Sequence, residues 1–174
     1  MADSPEIPEA KDPFEKRVAL TIAILAICLS LIGNRGDNAK TDAIIKTNKA
    51  SNSWGYFQAK SIKGEMAAMH GDLLSRLAGG DAAEAAKNET ARLHDEGVRY
   101  DKEKSESKDK AEELEKDATH LLAVNDRCDL AALLLQIAVI ICSVAILARA
   151  HKFWWAGMLL GAAGIVASVT AFLM

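Results

Sequence analysis

The sequence predicts an all-α membrane protein in which three transmembrane helices carry a long antiparallel helical hairpin, a coiled coil, outside the bilayer. Charged residues are absent from three runs, Val18–Gly33, Leu130–Ala148 and Phe153–Met174. Apolar runs of nearly twenty residues have the length of helix that crosses a bilayer. The block 34–129, in contrast, carries most of the charge. All three prolines precede residue 14, so no later proline interrupts a helix.

Residues 1–17 form an N-terminal tail that combines the prolines with charges of both signs, a composition typical of disorder. The first span, 18–33, is about 24 Å long as a helix, so flanking groups must reach toward the interfaces. A cleaved signal peptide is the competing interpretation, because Lys16 and Arg17 precede the apolar run. No small-x-small cleavage site ends the run and two further runs follow, which favours an uncleaved anchor.

The second and third spans, 130–148 and 153–174, are separated by a short basic turn at 149–152. Four residues are just enough to turn the chain back at one face of a membrane, so the two spans are expected to form a tight hairpin. The tryptophan pair that follows the turn is typical of the aromatic belt at that interface. Basic residues beside the tail and the turn predict that both are cytoplasmic and that the block 34–129 is periplasmic.

Small residues inside the spans predict close helix packing, because Ala, Ser and Gly let helix backbones approach each other in lipid. Those of the first span recur at spacings of three and four, and the third span contains a G-x-x-x-G pattern. Chance is the alternative explanation. We expect the single amide within the spans to bond between helices rather than line a pore. The candidate packing residues are Ala19, Ala23, Ala26, Ser30, Gly33, Gln136, Gly157, Gly161 and Gly164.

A seven-residue repeat through 34–129 predicts two antiparallel helical arms, joined by a turn near 79–81 where Gly-Gly-Asp interrupts the pattern. Two positions of each heptad are expected to face the other arm, and we call the line of contact between the arms the seam. In the first arm these seam positions are Ile45, Asn52, Ala59, Met66 and Leu73, and Asn48, Gly55, Ile62, Met69 and Arg76. In the second arm they fall on Ala86, Leu93, Tyr100, Ser107, Leu114 and Leu121, and on Thr90, Gly97, Lys104, Ala111, Ala118 and Asn125. This register pairs Leu73 with Ala86, Met69 with Thr90, and Ile62 with Gly97. Because the seams contain few Leu and Ile, we expect copies of the chain or a partner to stabilise the hairpin.

Two stretches carry a resemblance to a known family. Residues 38–63 contain N-S-W-G-Y-F-Q-A-K-S-I-K from Asn52, and Leu134 begins L-L-Q-I-A-V-I-I-C-S-V-A-I-L. With the first span, these stretches make the chain after its tail similar to the bacterial domain-of-unknown-function 4337 family. Gly55 stands where that family usually carries Ala. The resemblance implies a bacterial inner-membrane protein with three spans and a coiled coil, and it implies no activity.

The block around the first stretch is a candidate interaction surface, made of Trp54, Tyr56, Phe57, Gln58 and Lys60. Its three aromatic residues lie within about one helical turn and point in different directions. Because one seam cannot bury all three, at least one is expected to meet another subunit, a partner or solvent. Plain hairpin core is the alternative.

Residue patterns of known catalytic sites are missing: the sequence has no G-x-S-x-G, no phosphate loop, no H-E-x-x-H and no C-x-x-C. We therefore expect no enzymatic activity and no cofactor.

Metal binding is the strongest of the weak chemical interpretations, since Met and His can hold copper, although methionines at heptad positions are more often core residues. The metal candidates are Met66, Met69, His70 and His94. Nucleic acid is not expected as a partner, because the basic residues of the block are interleaved with slightly more acidic ones.

These features favour a non-enzymatic structural or adaptor protein that is anchored in the bilayer and assembles through its hairpin and its small-residue spans. We expect a homo-oligomer, or a complex with a larger membrane protein. The alternative is a pore-forming or transporter-accessory subunit lined by Thr21, Ser30 or Gln136, although the spans lack the charges that usually mark ion paths. A copper-binding periplasmic hairpin is the third interpretation.

Overall fold

The structure, a computed structural model, describes residues 13–77 and 83–172. These ranges contain three helices: α1 is Pro13–Leu77, α2 is Ala83–Ala148 and α3 is His151–Phe172. No strand occurs within them. Each helix contains a stretch long and apolar enough to cross a membrane. The prediction of an all-α chain with three such helices is therefore confirmed, while the exact limits of the spans stay predictions.

The N-terminal end of α1 differs from the expected tail. Residues 13–17 were predicted to be disordered, but they form the first turns of the helix. Proline suits a first helical position because it has no N–H to satisfy there, and Phe14 packs on His151 with ring centroids 4.1 Å apart. The rest of the tail, the predicted turn at 79–81 and the last residues of the third span lie outside the described residues.

The chain forms two compact units. The first, called the apolar unit here, contains residues 13–41 and 121–172 of the described chain, and the second, the charged unit, contains residues 42–77 and 83–120.

Large side chains of α1 pack against small ones of α2 and α3 in the apolar unit. The buried core residues recur every seven residues along α1 and every three or four along α2; they are Val18, Leu25, Ile32 and Ala39, then Val124, Cys128, Ala131, Leu135, Ala138, Cys142 and Ala145. Three glycines of α3 lie directly on this core. A Cβ added at Gly161 would lie 2.8 Å from Leu25 Cδ2, and one at Gly164 would lie 3.0 Å from Leu135 Cγ.

Two antiparallel segments of α1 and α2 make up the charged unit. Lys46 pairs with Asp117 and Lys60 pairs with Glu103. A later residue of α1 thus meets an earlier residue of α2, as in an antiparallel pair. The α1 residues that face α2 alternate at spacings of four and three: Ala43, Lys46, Ala50, Ser53, Phe57, Lys60, Gly64, Ala67, Gly71 and Leu74. Those of α2 are buried or half-buried at the positions that the sequence predicted, from Ala86 to Leu121.

The predicted register of the first arm is wrong. Its large seam residues are exposed: Ile62 by 57%, Met69 by 70% and Leu73 by 52%. In their place Gly64 lies beside Tyr100, and Gly71 lies beside Thr90 and Leu93. Alanine and glycine allow the two backbones to approach closely, and lysine stems at this seam reach carboxylates on α2. A seam of small residues and lysines therefore replaces the expected seam of Ile and Met.

Candidate functional site

Trp54 and Phe57 of the predicted interaction surface pack within the charged unit. The Trp54 indole N–H donates a hydrogen bond of 2.8 Å to Glu115 Oε1. The Trp54 and Phe57 rings meet edge to face with centroids 5.4 Å apart, an arrangement that aromatic pairs favour. Lys104 Nζ lies 5.5 Å from the Phe57 ring centroid. These two aromatic residues therefore tie α1 to α2, and both remain only half-buried.

Lys60 is the centre of a second cross-helix group. Its ammonium pairs with Glu103 and lies 5.2 Å from the Tyr100 ring centroid. The hydrogen bond from Lys60 holds the pKa of the Glu103 carboxyl below its ordinary value. In the same way, the hydrogen bond from Lys46 lowers the pKa of Asp117. Both carboxylates therefore stay ionised at pH values where a free carboxyl would begin to take up a proton.

Tyr56 and Gln58 are the members of the predicted surface that face away from α2. Tyr56 is 65% exposed, and with Asn52, Gly55 and neighbours it lines an open groove of about 470 Å³. The structure thus divides the predicted surface into an intrachain part, with Trp54, Phe57 and Lys60, and an exposed part.

Sequence reasoning missed a second exposed surface on α1. Ile62, Met66, Met69 and Leu73 follow each other at spacings of four and three, and all are more than half exposed. We call these residues the apolar stripe. Met66, Met69 and Leu73 line, with Leu93 and Tyr100 among others, an open groove of about 590 Å³. The signal was present as a heptad pattern, but the pattern was assigned to the contact with α2.

The small-residue face of the first span does not pack within the chain. Ala19, Ala23, Ala26 and Ser30 are exposed, as is Gln136 of α2. A Cβ at Gly33 would meet nothing within 4 Å. The three candidate glycines of α3 are buried instead. The physical reason is that α1 inserts large residues such as Leu25 against glycine, so its own small residues are left on the other side.

Of the residues expected to line a pore, Thr21 accepts a hydrogen bond of 3.3 Å from Trp154 Nε1.

Both units fall within one known family. The model of DUF4337, a domain of unknown function, matches residues 14–174. The chain belongs to the DUF4337 family. No curated protein and no solved structure matches this DUF4337 chain.

The four metal candidates of the DUF4337 chain divide between two grooves. Met66, Met69 and His70 line the groove of the apolar stripe, whereas His94 lines a different groove with Gly64 and Val98. Among residues 13–77 and 83–172, no group of three or more His, Cys, Asp and Glu side chains is arranged to hold a metal ion.

Proposed function

We propose that this DUF4337 chain is a non-enzymatic structural or adaptor protein, anchored in the bacterial inner membrane, that assembles with copies of itself through the apolar stripe. Its three apolar helices insert in the bilayer, and its charged unit forms a coiled-coil hairpin outside it, because charged side chains are costly within a membrane. Basic residues beside the α2–α3 turn favour a cytoplasmic N-terminus and turn, and hence a periplasmic hairpin.

The observation that carries this proposal is the exposure of the apolar stripe. Single exposed apolar residues are common on protein surfaces, but contiguous ones mark contact sites. Complete burial of a large apolar side chain contributes about 1.5–3 kcal/mol. Each stripe residue is more than half exposed, so its burial in an interface would contribute roughly 1 kcal/mol before the costs of association. Four such residues on each of two copies would form the apolar core of an interface between them.

A second copy is the partner that best fits this stripe. Copies that insert in the same orientation hold their stripes parallel and at the same height, so each heptad position meets its own equivalent. Anchoring in one bilayer also raises the effective concentration of the copies. The exposed charged residues next to the stripe are of both signs, Lys63 and Arg76 with Glu65 and Asp72. Arg76 already pairs with Asp72 within α1, and these four residues together carry no net charge that would oppose a second copy.

Mass measurement of the native full-length protein in mild detergent tests the proposal. We expect the unmodified chain to be oligomeric and Met66→Asp to be monomeric, because a carboxylate in the interface between two apolar stripes would have to be desolvated. Val98→Asp is the matched control: Val98 is as exposed as Met66, at 59%, but lies on α2 away from the stripe. An unmodified chain that stays monomeric with full helicity, or a Met66→Asp variant that stays oligomeric, would refute self-assembly. Recovery of a stoichiometric second protein would favour the adaptor over the homo-oligomer.

A further inference from the structure

Basic and aromatic side chains from two parts of the sequence meet at one end of the apolar unit. Arg149 Nη2 lies 3.6 Å from Glu15 Oε1. Phe14 stacks on His151 and meets Trp154 edge to face, with centroids 6.1 Å apart. These contacts join the first turns of α1 to the connection between α2 and α3. The basic residues next to Glu15 therefore lie near the basic residues of that connection.

Among the described residues, the charge at this end is positive. Lys16, Arg17, Arg149 and Lys152, which we call the basic cluster, are all exposed. Glu15 is the one acidic residue among residues 13–17 and 149–152, and it is engaged by Arg149. Four cationic side chains thus stand against one carboxylate, and a surface with this balance attracts an anion.

Arg149 has a backbone conformation that residues other than glycine seldom adopt. Its φ is 47°, in the left-handed region that glycine adopts most readily. Two hydrogen bonds end α2 around it, from Ala150 N to Ala145 O and from Arg149 N to Ile146 O, each of 3.3 Å. This is the Schellman pattern, in which glycine usually occupies the position that Arg149 holds. The guanidinium at this position pairs with Glu15, which holds a cationic side chain beside the start of α1.

The aromatic residues place the basic cluster at the level of lipid headgroups. Trp154 is half-buried and donates its indole hydrogen bond to Thr21, whereas Trp155 is 63% exposed. Tryptophan at the end of an apolar helix lies at the membrane interface. On the membrane side of the cluster, Leu20 of α1 and Leu159 of α3 are 64% and 76% exposed. Apolar side chains are thus available for acyl chains.

We propose that the basic cluster binds the phosphate group of an anionic phospholipid. Arginine recognises phosphate oxygens with paired N–H groups, and basic pockets at the ends of membrane helices hold anionic headgroups. A lipid fits this position better than a free phosphate, because the basic residues adjoin interfacial tryptophan and exposed apolar helix surface. The site requires membrane insertion but not assembly through the apolar stripe.

Lipid retention by the full-length chain in mild detergent provides the test. Native mass spectrometry would compare phosphatidylglycerol with phosphatidylcholine of the same acyl chains, each added at equal concentration. We expect phosphatidylglycerol to be retained preferentially. Arg149→Gly should lower that retention about fivefold while keeping α2 and its cap intact, since glycine suits the backbone there. Arg127→Gln removes one positive charge from α2 away from the cluster and should leave retention unchanged.

Three results would overturn the proposal. They are equal retention of the two lipids, unchanged retention in Arg149→Gly, and displacement of the lipid by millimolar inorganic phosphate, which would identify a free-anion site. A thermal unfolding curve for Arg149→Gly that matches the unmodified chain would show that lost binding is not lost folding. Met66→Asp should bind phosphatidylglycerol normally, so failure of assembly and failure of lipid binding are distinguishable.

Discussion

Gly157 of α3 lies directly on Cys142 of α2. A Cβ at Gly157 would come within 2.5 Å of Cys142 Sγ and within 3.2 Å of the Ala138 carbonyl oxygen. Since a backbone oxygen cannot move aside as a flexible side chain can, this glycine sets how closely α3 approaches α2.

Gly157→Ala is therefore expected to destabilise the apolar unit by about 1–3 kcal/mol, the usual range for overpacking. Thermal unfolding in detergent, followed by circular dichroism, measures the change. Gly33→Ala is the control, because a Cβ there meets nothing within 4 Å and alanine favours helix by about 0.5–1 kcal/mol. Equal effects of the two substitutions would contradict the packing described for α3.

The register of the charged unit can be tested at Gly64, which faces Tyr100 at the seam. Gly64→Ala should stabilise the unit by about 0.5–1 kcal/mol, because the added methyl makes ordinary contact and the helix gains rigidity. Gly64→Leu should destabilise it by roughly 1–3 kcal/mol through overpacking. The position lies outside the seam in the register that the sequence suggested. If urea or thermal unfolding showed that Gly64→Leu is as stable as the unmodified chain, the register predicted from the sequence would be favoured over the one in the structure.

Trp54→Ala should weaken the pairing of α1 with α2. It removes the edge-to-face contact with Phe57 and the hydrogen bond to Glu115, and for a half-buried tryptophan the loss is about 2 kcal/mol. Trp54→Phe keeps an aromatic ring and should cost less. Tyr56→Ala, at an exposed neighbour, should leave the unfolding midpoint unchanged. A stability loss in Tyr56→Ala that equals the loss in Trp54→Ala would show that both rings are buried in solution.

Acid should loosen the charged unit. Glu103 and Asp117 have pKa values lowered by hydrogen bonds from Lys60 and Lys46. The folded state therefore binds these protons less readily than the unfolded state does, and the stabilisation is present above the pKa of the unfolded chain. It is lost as the pH falls through the folded pKa values, which lie below the ordinary values of Glu and Asp.

Unfolding midpoints of the full-length chain between pH 7 and 3 measure this effect. The double variant Glu103→Gln, Asp117→Asn should be less stable at pH 7 and should show a shallower decline in acid. A pH dependence that is identical with and without these carboxylates would assign the acid sensitivity to other groups.

How far the sequence predicts this fold depends on the size of the residues that form each contact. The contact face of α2 was readable because Leu93, Tyr100 and Leu114 place large side chains at multiples of seven residues. The seam of α1 was not, since it consists of Ala, Gly, Ser and Lys, whereas larger residues repeat with the same period on another face. Periodicity fixes which residues share a face, but a single chain does not say which of two such faces meets its own partner helix.

The same limit applies to the candidate packing residues in the spans. Small residues mark where helices are able to approach, and both α1 and α3 have such faces. Only the structure shows that Leu25 fills the space at Gly161, which leaves Ala19 and Ala23 exposed. The basic cluster was partly foreseeable from charge, but its proximity to Phe14 and Glu15 required three-dimensional contacts.

The Schellman cap at Arg149 also bears on how the protein is made. Only Arg149 and Ala150 separate the end of α2 from the start of α3, so the two helices can leave the translocation machinery as one preformed pair. In the topology proposed above, their connection stays on the cytoplasmic side, so its cationic side chains are spared any passage through hydrocarbon during biosynthesis.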